Sequence, residues 1–400
     1  MPVIFFILNR LVIGGTAMNT LLLLQHLKQY YKVVLITGKK ETDEVLVLGY
    51  EKYLHDITHI QLPSLQRSIN PVKDYRAYFH LKRVINKYKP AVVYTIGAKP
   101  GFLGRLAAAK EKVPVIVHAY HGDVFAGYFN KLLSDIVIKL ERYAASKTTC
   151  IITVSKKQQQ DLATIYKIAP VQKLVHIPIG IQTNLFKDAD GSLRKQFRQK
   201  YLLEEQEVAI GIVGRIALIK NHTFFIKLID VLKKHTSRPL RFFIVGDGEK
   251  LRIQLEKQLC NLNIDYTYFP NKPQKALVTF TSWQYNMPEV INGLDMVVLT
   301  SDNEGTPVSL LEAQAAGKPV VSAAVGAVAE IVLHKVTGFV YQPGNINEAA
   351  LYIESLLSDS SLSQTLGTQG VQFVQSHHNI ATQLQQVQHL LGNLLSSSKE

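Results

Sequence analysis

The 400-residue sequence predicts an α/β chain with two doubly wound parallel-sheet domains in tandem. Three observations predict it. Short, continuously apolar runs alternate with amphipathic stretches, as in parallel sheets covered on both faces. The alternation stops once, in a polar stretch over 183–207, and then restarts. And 47% of the residues are hydrophobic, enough for substantial cores and too many for a mainly disordered chain.

In the first half, strands are predicted at Val3–Leu8, Val33–Thr37, Ala91–Thr95, Val115–His118 and Ile151–Ser155. Gly14 and Gly15 form a turn, and Thr16–Leu27 reads as a helix. In the second half, strands are predicted at Val208–Val213, Arg241–Val245, Val278–Phe280, Met296–Leu299 and Pro319–Ser322, with a helix at Thr223–Lys234. A last helix, about Ile380 to Leu395, aligns Leu384, Val387, Leu391 and Leu394 on one face. The expected domains are 1–182 and 183–378, followed by a helix and tail at 379–400. Ligands of such sheets bind at the carboxyl ends of the strands, so a cleft between the domains is the expected site.

No segment reaches the roughly 18–20 apolar residues of a membrane span. Val3–Leu8 reads as a buried strand and not as a signal peptide. Two cysteines cannot make a disulfide framework, and Cys150 and Cys260 read as buried thiols in a reducing compartment. The formal charge of +14 is uneven: residues 1–190 hold 26 Lys and Arg against 13 Asp and Glu, and the remainder is nearly neutral. Nucleic acid, an anionic membrane surface and a phosphorylated ligand all fit such a balance.

The densest chemical signal runs from Thr300 to Val321. Pro307 suits the first turn of a helix and Gly317 its exit. The helix between them is mostly apolar with a single charge, Glu312, which must have a specific partner. The loop Asn303–Thr306 would point backbone N–H groups at phosphate or sugar oxygens. A second cluster, Gly211–His222, follows a strand and carries Gly214, Arg215 and Lys220. The guanidinium is a fork and the ammonium a point charge, both suited to a diphosphate. A third, Val245–Glu249, runs a strand into the turn of Gly246, Asp247 and Gly248. Asp188 and Asp190 spell the D-x-D of metal-dependent transferases, but away from a strand end, and no metal is expected. His118 and His222 read as structural.

The second half, by Glu304 and Glu312 with seven residues between them and by the Arg215–Lys220 and Val245–Glu249 segments in order, resembles the retaining glycosyltransferases of family 4, which have the GT-B fold. In the first half, the segments Arg67–Asp74, Lys99–Arg105 and His118–Phe125 resemble bacterial exopolysaccharide, capsule and O-antigen transferases. The resemblance implies two Rossmann-like domains facing a cleft, with the terminal helix returning to the first. It implies a nucleotide-diphosphate sugar, most simply a UDP-sugar, held by the second domain. Glu312 would take the ribose diol and Glu304 the sugar hydroxyls, beside the backbone of Gly305, Thr306 and Pro307. Gly214, Gly246 and Asp247 would line the donor. Arg215 and Lys220 would neutralise the leaving diphosphate, in place of a metal or other cofactor. Gly15 would let backbone approach the diphosphate, and His121 would stand near sugar and acceptor.

Where relatives carry Asn-Gly, this chain has Ile179 and Gly180. Asp123 and Ala126 also depart from the pattern beside His121, and the segment between Cys260 and Trp283 is longer, with Pro270–Pro273 inserted near the expected nucleobase. The cations Lys73, Arg76, Lys82, Arg83, Lys87 and Lys89 lie on a predicted helix whose apolar stripe is Ala77, Leu81, Val84 and Tyr88. They suit an anionic membrane surface, and Lys99 and Arg105 suit an acceptor diphosphate. The basic half has no recognisable nucleic-acid module. The expected protein is therefore a cytoplasmic enzyme, peripheral on the inner face of a bacterial membrane, glycosylating a polyprenyl-diphosphate-linked saccharide. A sugar-nucleotide epimerase of similar shape and an inactive donor-binding subunit are the alternatives.

Overall fold

The computed structural model describes every residue except 42–43, 67, 123–130, 270–273 and 399–400, and the side chains of 131–132. Arg67, Asp123, Phe125, Ala126 and the inserted Pro270–Pro273 therefore lie outside the described residues. The chain forms two compact units, residues 1–180 with 381–400, and residues 181–380.

In the first unit, seven parallel strands run β1 (Val3–Leu8), β2 (Lys32–Thr37), β3 (Thr58–Gln61), β4 (Val92–Ile96), β5 (Val115–Ala119), β6 (Cys150–Thr153) and β7 (Leu174–His176). Their order across the sheet is β3-β2-β1-β4-β5-β6-β7. Alternation along β1 divides the core. Ile4, Phe6 and Leu8 face the helix Gly15–Leu27, whereas Phe5 and Ile7 face the helices Pro71–Tyr88 and Ala98–Lys110 through Leu81, Ile85 and Leu103. The terminal helix Ile380–Ser397 lays Val387 and Leu391 on the first of these layers, each worth about 2 kcal/mol of burial. A buried amide pair sets its register: Asn19 Nδ2 donates to Gln383 Oε1 at 2.7 Å, and that oxygen also accepts the Gly180 N–H at 2.8 Å.

The second unit repeats the plan with β8 (Val208–Val213), β9 (Leu240–Val245), β10 (Tyr266–Tyr268), β11 (Val278–Ser282), β12 (Met296–Leu299), β13 (Val320–Ala323) and β14 (Phe339–Tyr341), ordered β10-β11-β9-β8-β12-β13-β14. Four strands escape the sequence pattern, and they are the four sheet edges: β3, β7, β10 and β14. Each has three or four residues and no run of continuous burial. An edge strand pairs on one side only and mixes polar with apolar residues, so its periodicity is too short to read.

Candidate donor site

In the second unit the chain leaves β8 toward β9 and later returns to β12, on the other side of β8. The loops after β8 and β12 therefore diverge at a topological switch point, where open α/β sheets hold ligands. The loop after β8 carries Gly214, Arg215 and Lys220. The loop after β12 carries Thr300–Pro307 and leads into the helix Val308–Ala315, which holds Glu312.

These loops are laced together. Lys220 Nζ donates to Glu304 Oε1 at 2.6 Å, and Ser301 Oγ donates to the same oxygen at 2.6 Å. Thr300 Oγ1 reaches the carbonyls of Lys220 and Asn221, each at 3.0 Å. Asn221 Nδ2 donates to Asp302 Oδ1 at 2.8 Å. Gly326, at φ 52°, lies against the Glu304 backbone so closely that a Cβ would sit 1.7 Å from its carbonyl oxygen. Ser301, Asn221 and Gly326 are thus positioning residues that motif reasoning missed. Only Gly326 left a sequence signal, a lone glycine after β13.

Glu312 behaves differently from Glu304. Its side chain makes no hydrogen bond or ion pair with another described residue, and desolvation pushes its carboxyl up to about 8. A desolvated acid with no side-chain partner among the described residues is a group suited to hydroxyl partners. Thr306 is buried, and Pro307 is the residue that caps the helix, one position earlier than expected. Arg215 is exposed at the end of β8.

The turn after β9 packs on the turn after β8. Gly214 N donates to the Val245 carbonyl at 2.9 Å, and a Cβ on Gly246 would lie 2.1 Å from the Gly214 carbonyl oxygen. Beside it a cavity of about 300 Å³ is walled by Tyr268, Phe269 and Phe280 and floored by Asp247, Arg252 and Ser282. Asp247 Oδ2 accepts from Ser282 Oγ at 2.9 Å, and Arg252 stands over the Tyr268 ring at 5.4 Å.

In the first unit, His121 follows β5. Burial holds its imidazole at about 4, so it is neutral near pH 7, and its Nδ1 has no partner among the described residues. Gln158 pins the adjoining loop: its Nε2 donates to the Gly122 carbonyl at 3.0 Å, and its Oε1 accepts the Val154 N–H at 3.1 Å. In the first turn, the unusual backbone falls on Gly14 (φ 148°), and Gly15 starts the helix.

Arg105 is not an available cation, contrary to the expectation that it meets an acceptor, and Lys99 is already paired. Lys99 Nζ is held by Asp74 Oδ1 at 2.6 Å and by the Ser68 carbonyl. Arg105 is fully buried, with Nη2 on Glu141 Oε2 at 2.6 Å and Nε on the Gly101 carbonyl at 2.8 Å. Tyr120 completes this group by donating to Glu141 Oε2 at 2.8 Å. The reason is steric: Arg105 lies on the sheet-facing side of its helix, which the sequence alone could not distinguish from the solvent side.

Cys260 is exposed, against the expectation of a buried thiol, whereas Cys150 is buried. His118 and His222 are both buried. Asp188 and Asp190 accept backbone N–H groups of Leu193, Arg194 and Ser192, so they satisfy first-turn donors of the helix Ser192–Lys200, whose N-cap is Gly191. Among the described residues, no group of three His, Cys, Asp or Glu side chains could hold a metal ion.

Two doubly wound sheets, the second with polar and charged side chains gathered at its switch point, are the architecture of the two-domain α/β ligand-binding proteins. The comparisons agree. Residues 13–185 match the family model "Glycosyltransferase Family 4" and residues 194–373 the model "Glycosyl transferases group 1". The chain is 27% identical over 308 residues to the UDP-Gal:alpha-D-GlcNAc-diphosphoundecaprenol alpha-1,3-galactosyltransferase of Escherichia coli, covering 76% of each chain. It is 23% identical over 358 residues to the capsular polysaccharide biosynthesis glycosyltransferase CapM of Staphylococcus aureus, covering 87% of this chain and 88% of the other. Its fold matches Anabaena HepE in complex with UDP and glucose, with TM-score 0.79, 18% identity, and coverage of 98% and 100%. It also matches the sucrose-phosphate synthase of Thermosynechococcus elongatus, with TM-score 0.82, 19% identity, and coverage of 99% and 100%. The chain belongs to the family 4 glycosyltransferases and has the GT-B fold.

Proposed function

We propose that this transferase moves a sugar from a UDP-sugar to a saccharide on a polyprenyl diphosphate, with retention of anomeric configuration and without a metal. The observation that carries the reading is the meeting of Lys220, Glu304 and Ser301 at the switch point of the second sheet, with the unpaired Glu312 one helix further on. Lys220 and Arg215 neutralise the diphosphate as it leaves, the service a divalent cation gives elsewhere. Glu304 holds sugar hydroxyls, and Glu312 holds the ribose diol. The cavity walled by Tyr268 and Phe269 takes the base, with Arg252 fixed beside it. Neutral His121 serves the sugar as a hydrogen-bonding group and not as a cation. The diphosphate itself accepts the acceptor's proton on the face it leaves, which gives retention without a protein nucleophile.

The names of the Escherichia coli and Staphylococcus aureus relatives support a lipid-diphosphate acceptor and surface-polysaccharide synthesis. No helix of the described residues is long and apolar enough to cross a membrane. The helix Pro71–Tyr88 instead exposes Val72, Tyr75 and Phe79 beside Arg76 and Arg83, which supports peripheral contact with an anionic bilayer.

A thermal-shift screen across nucleotide sugars, followed by transfer to a synthetic polyprenyl-diphosphate saccharide, tests this. The expected result is stabilisation by one UDP-sugar, by mass action, and an α-linked product from an α-configured donor, formed in the presence of chelator. Inverted product, or activity abolished by chelator, overturns the corresponding part. Donor turnover without acceptor would favour an epimerase.

A further inference from the structure

Resting on the transferase reading, we propose that a second cavity, in the first unit, binds the glycosyl phosphate of the acceptor, and that Lys39 and Lys40 are its phosphate cations. The cavity encloses about 220 Å³ at the carboxyl ends of β2 and β3, the ligand edge of that sheet. It is built and not incidental. Residues 10–13 and 44–47 pair across it: Ile13 N donates to the Val45 carbonyl at 2.8 Å, Val47 N to the Leu11 carbonyl at 2.9 Å, and Val12 bridges Leu46. Gly38 is buried in its wall, with no room for a Cβ beside the Leu65 carbonyl.

The charges at the cavity are sorted. The nearby acids Glu41 and Glu44 are both taken by Arg10, at 3.5 and 2.6 Å. Lys39 and Lys40 are exposed and make no ion pair or hydrogen bond with a described residue. Among the described residues, Lys39 and Lys40 are therefore the ammonium groups at the mouth with no carboxylate in contact, in the half of the chain that carries nearly all the net positive charge. Lys99 and Arg105, the cations the motifs suggested, have internal carboxylate partners. The free charge lies on the other side of β1.

Beyond the mouth, the lining suits a sugar ring. Leu11, Leu46 and the Tyr50 ring supply apolar walls, while Gln61 and His59 supply polar edges. Thr37 Oγ1 holds His59 Nε2 at 2.9 Å. With that hydroxyl donating, His59 Nδ1–H is left to a ligand oxygen. Two lysines with a small mixed cavity behind them are the complement of a hexose bearing an anomeric phosphate or diphosphate.

Calorimetric titration of the full chain with an α-hexose 1-phosphate, with inorganic phosphate, and with the free hexose tests the assignment. UDP is titrated separately as a measure of the donor site. The expected result is millimolar binding of the hexose phosphate, tighter than either fragment, and weakened about tenfold or more in the Lys39→Ala/Lys40→Ala double variant. Tyr50→Ala should weaken the hexose phosphate but leave inorganic phosphate unchanged. UDP affinity should match the wild type in all variants, and melting temperature should match it in the lysine double variant, whereas Tyr50→Ala, which loses packing on the core, should melt earlier and is titrated below its transition. Equal binding by the double variant, or no binding of hexose phosphate where UDP still binds, overturns the proposal and leaves the donor site untouched. The same chemistry could come from phospholipid headgroups. Inorganic phosphate binding as tightly as hexose phosphate, with anionic vesicles captured through the two lysines, would assign the cavity to the bilayer and overturn the acceptor role.

Discussion

Lys220 Nζ and Glu304 Oε1 lie 2.6 Å apart, so the cation proposed for the donor's diphosphate is already paired with the carboxylate proposed for its sugar. Both side chains are largely buried, and such a pair is not a surface ornament. In the proposed site the donor would have to offer Lys220 a better anion and Glu304 a set of hydroxyls at the same moment. A complete nucleotide sugar does both, whereas a bare nucleoside diphosphate does only the first.

Glu304→Gln should therefore separate binding from transfer. The variant keeps the side-chain shape and frees Lys220. UDP affinity should rise, by about tenfold for one fewer negative charge at contact distance. Transfer should fall by about 10²–10³, as when one preorganised polar partner of the transition state is lost. Calorimetry with UDP and a turnover assay read the two effects. Weaker UDP binding by the variant would mean that Glu304 does not compete for Lys220.

Glu312 gives the site a pH signature. Its carboxyl is held at about 8 in the folded chain, against about 4.3 when unfolded. The proton is bound more tightly by the folded state. This group's contribution to stability is therefore fully present below about pH 4 and is lost as pH rises through about 8. Glu312→Gln mimics the protonated acid. Its melting temperature should match the wild type near pH 4 and exceed it progressively toward pH 9, by the equivalent of about a few kcal/mol. UDP should bind the Gln variant less well, because the ribose diol loses an acceptor. A constant offset across the pH range would mean that Glu312 titrates normally.

The sequence was most legible where the polymer is most regular. Central strands such as β1 and β8 are long apolar runs and can be read directly, whereas the three- or four-residue edges cannot. The candidate donor site was legible as a cluster because Glu304, Glu312 and Pro307 lie within one strand–loop–helix unit, β12 to the helix Val308–Ala315. Ser301 and Gly326 were not, because their roles depend on a hydroxyl rotamer and on the approach of a distant turn. The first unit was the least legible. Charge counting located its basic character, but it could not separate the buried Arg105 and the paired Lys99 from Lys39 and Lys40, which are exposed and have no partner among the described residues.

The Arg105–Glu141 pair is the sharpest test of that distinction. Arg105 has no solvent exposure, and Glu141 is 4% exposed. Removing one partner strands a buried charge, at a cost of about 3–5 kcal/mol. Arg105→Met should lower the melting temperature by many degrees, and Glu141→Gln by somewhat less, since the amide can still meet Tyr120 and the guanidinium. The double variant Arg105→Met/Glu141→Leu should recover much of the loss, because the paired desolvation disappears with the charges. Acceptor KM, measured below the melting transition, should stay within about twofold of wild type in the recovered double variant. A raised acceptor KM there, with stability restored, would return Arg105 to the acceptor site. An additive loss of stability in place of recovery would show that the two charges do not act as a pair.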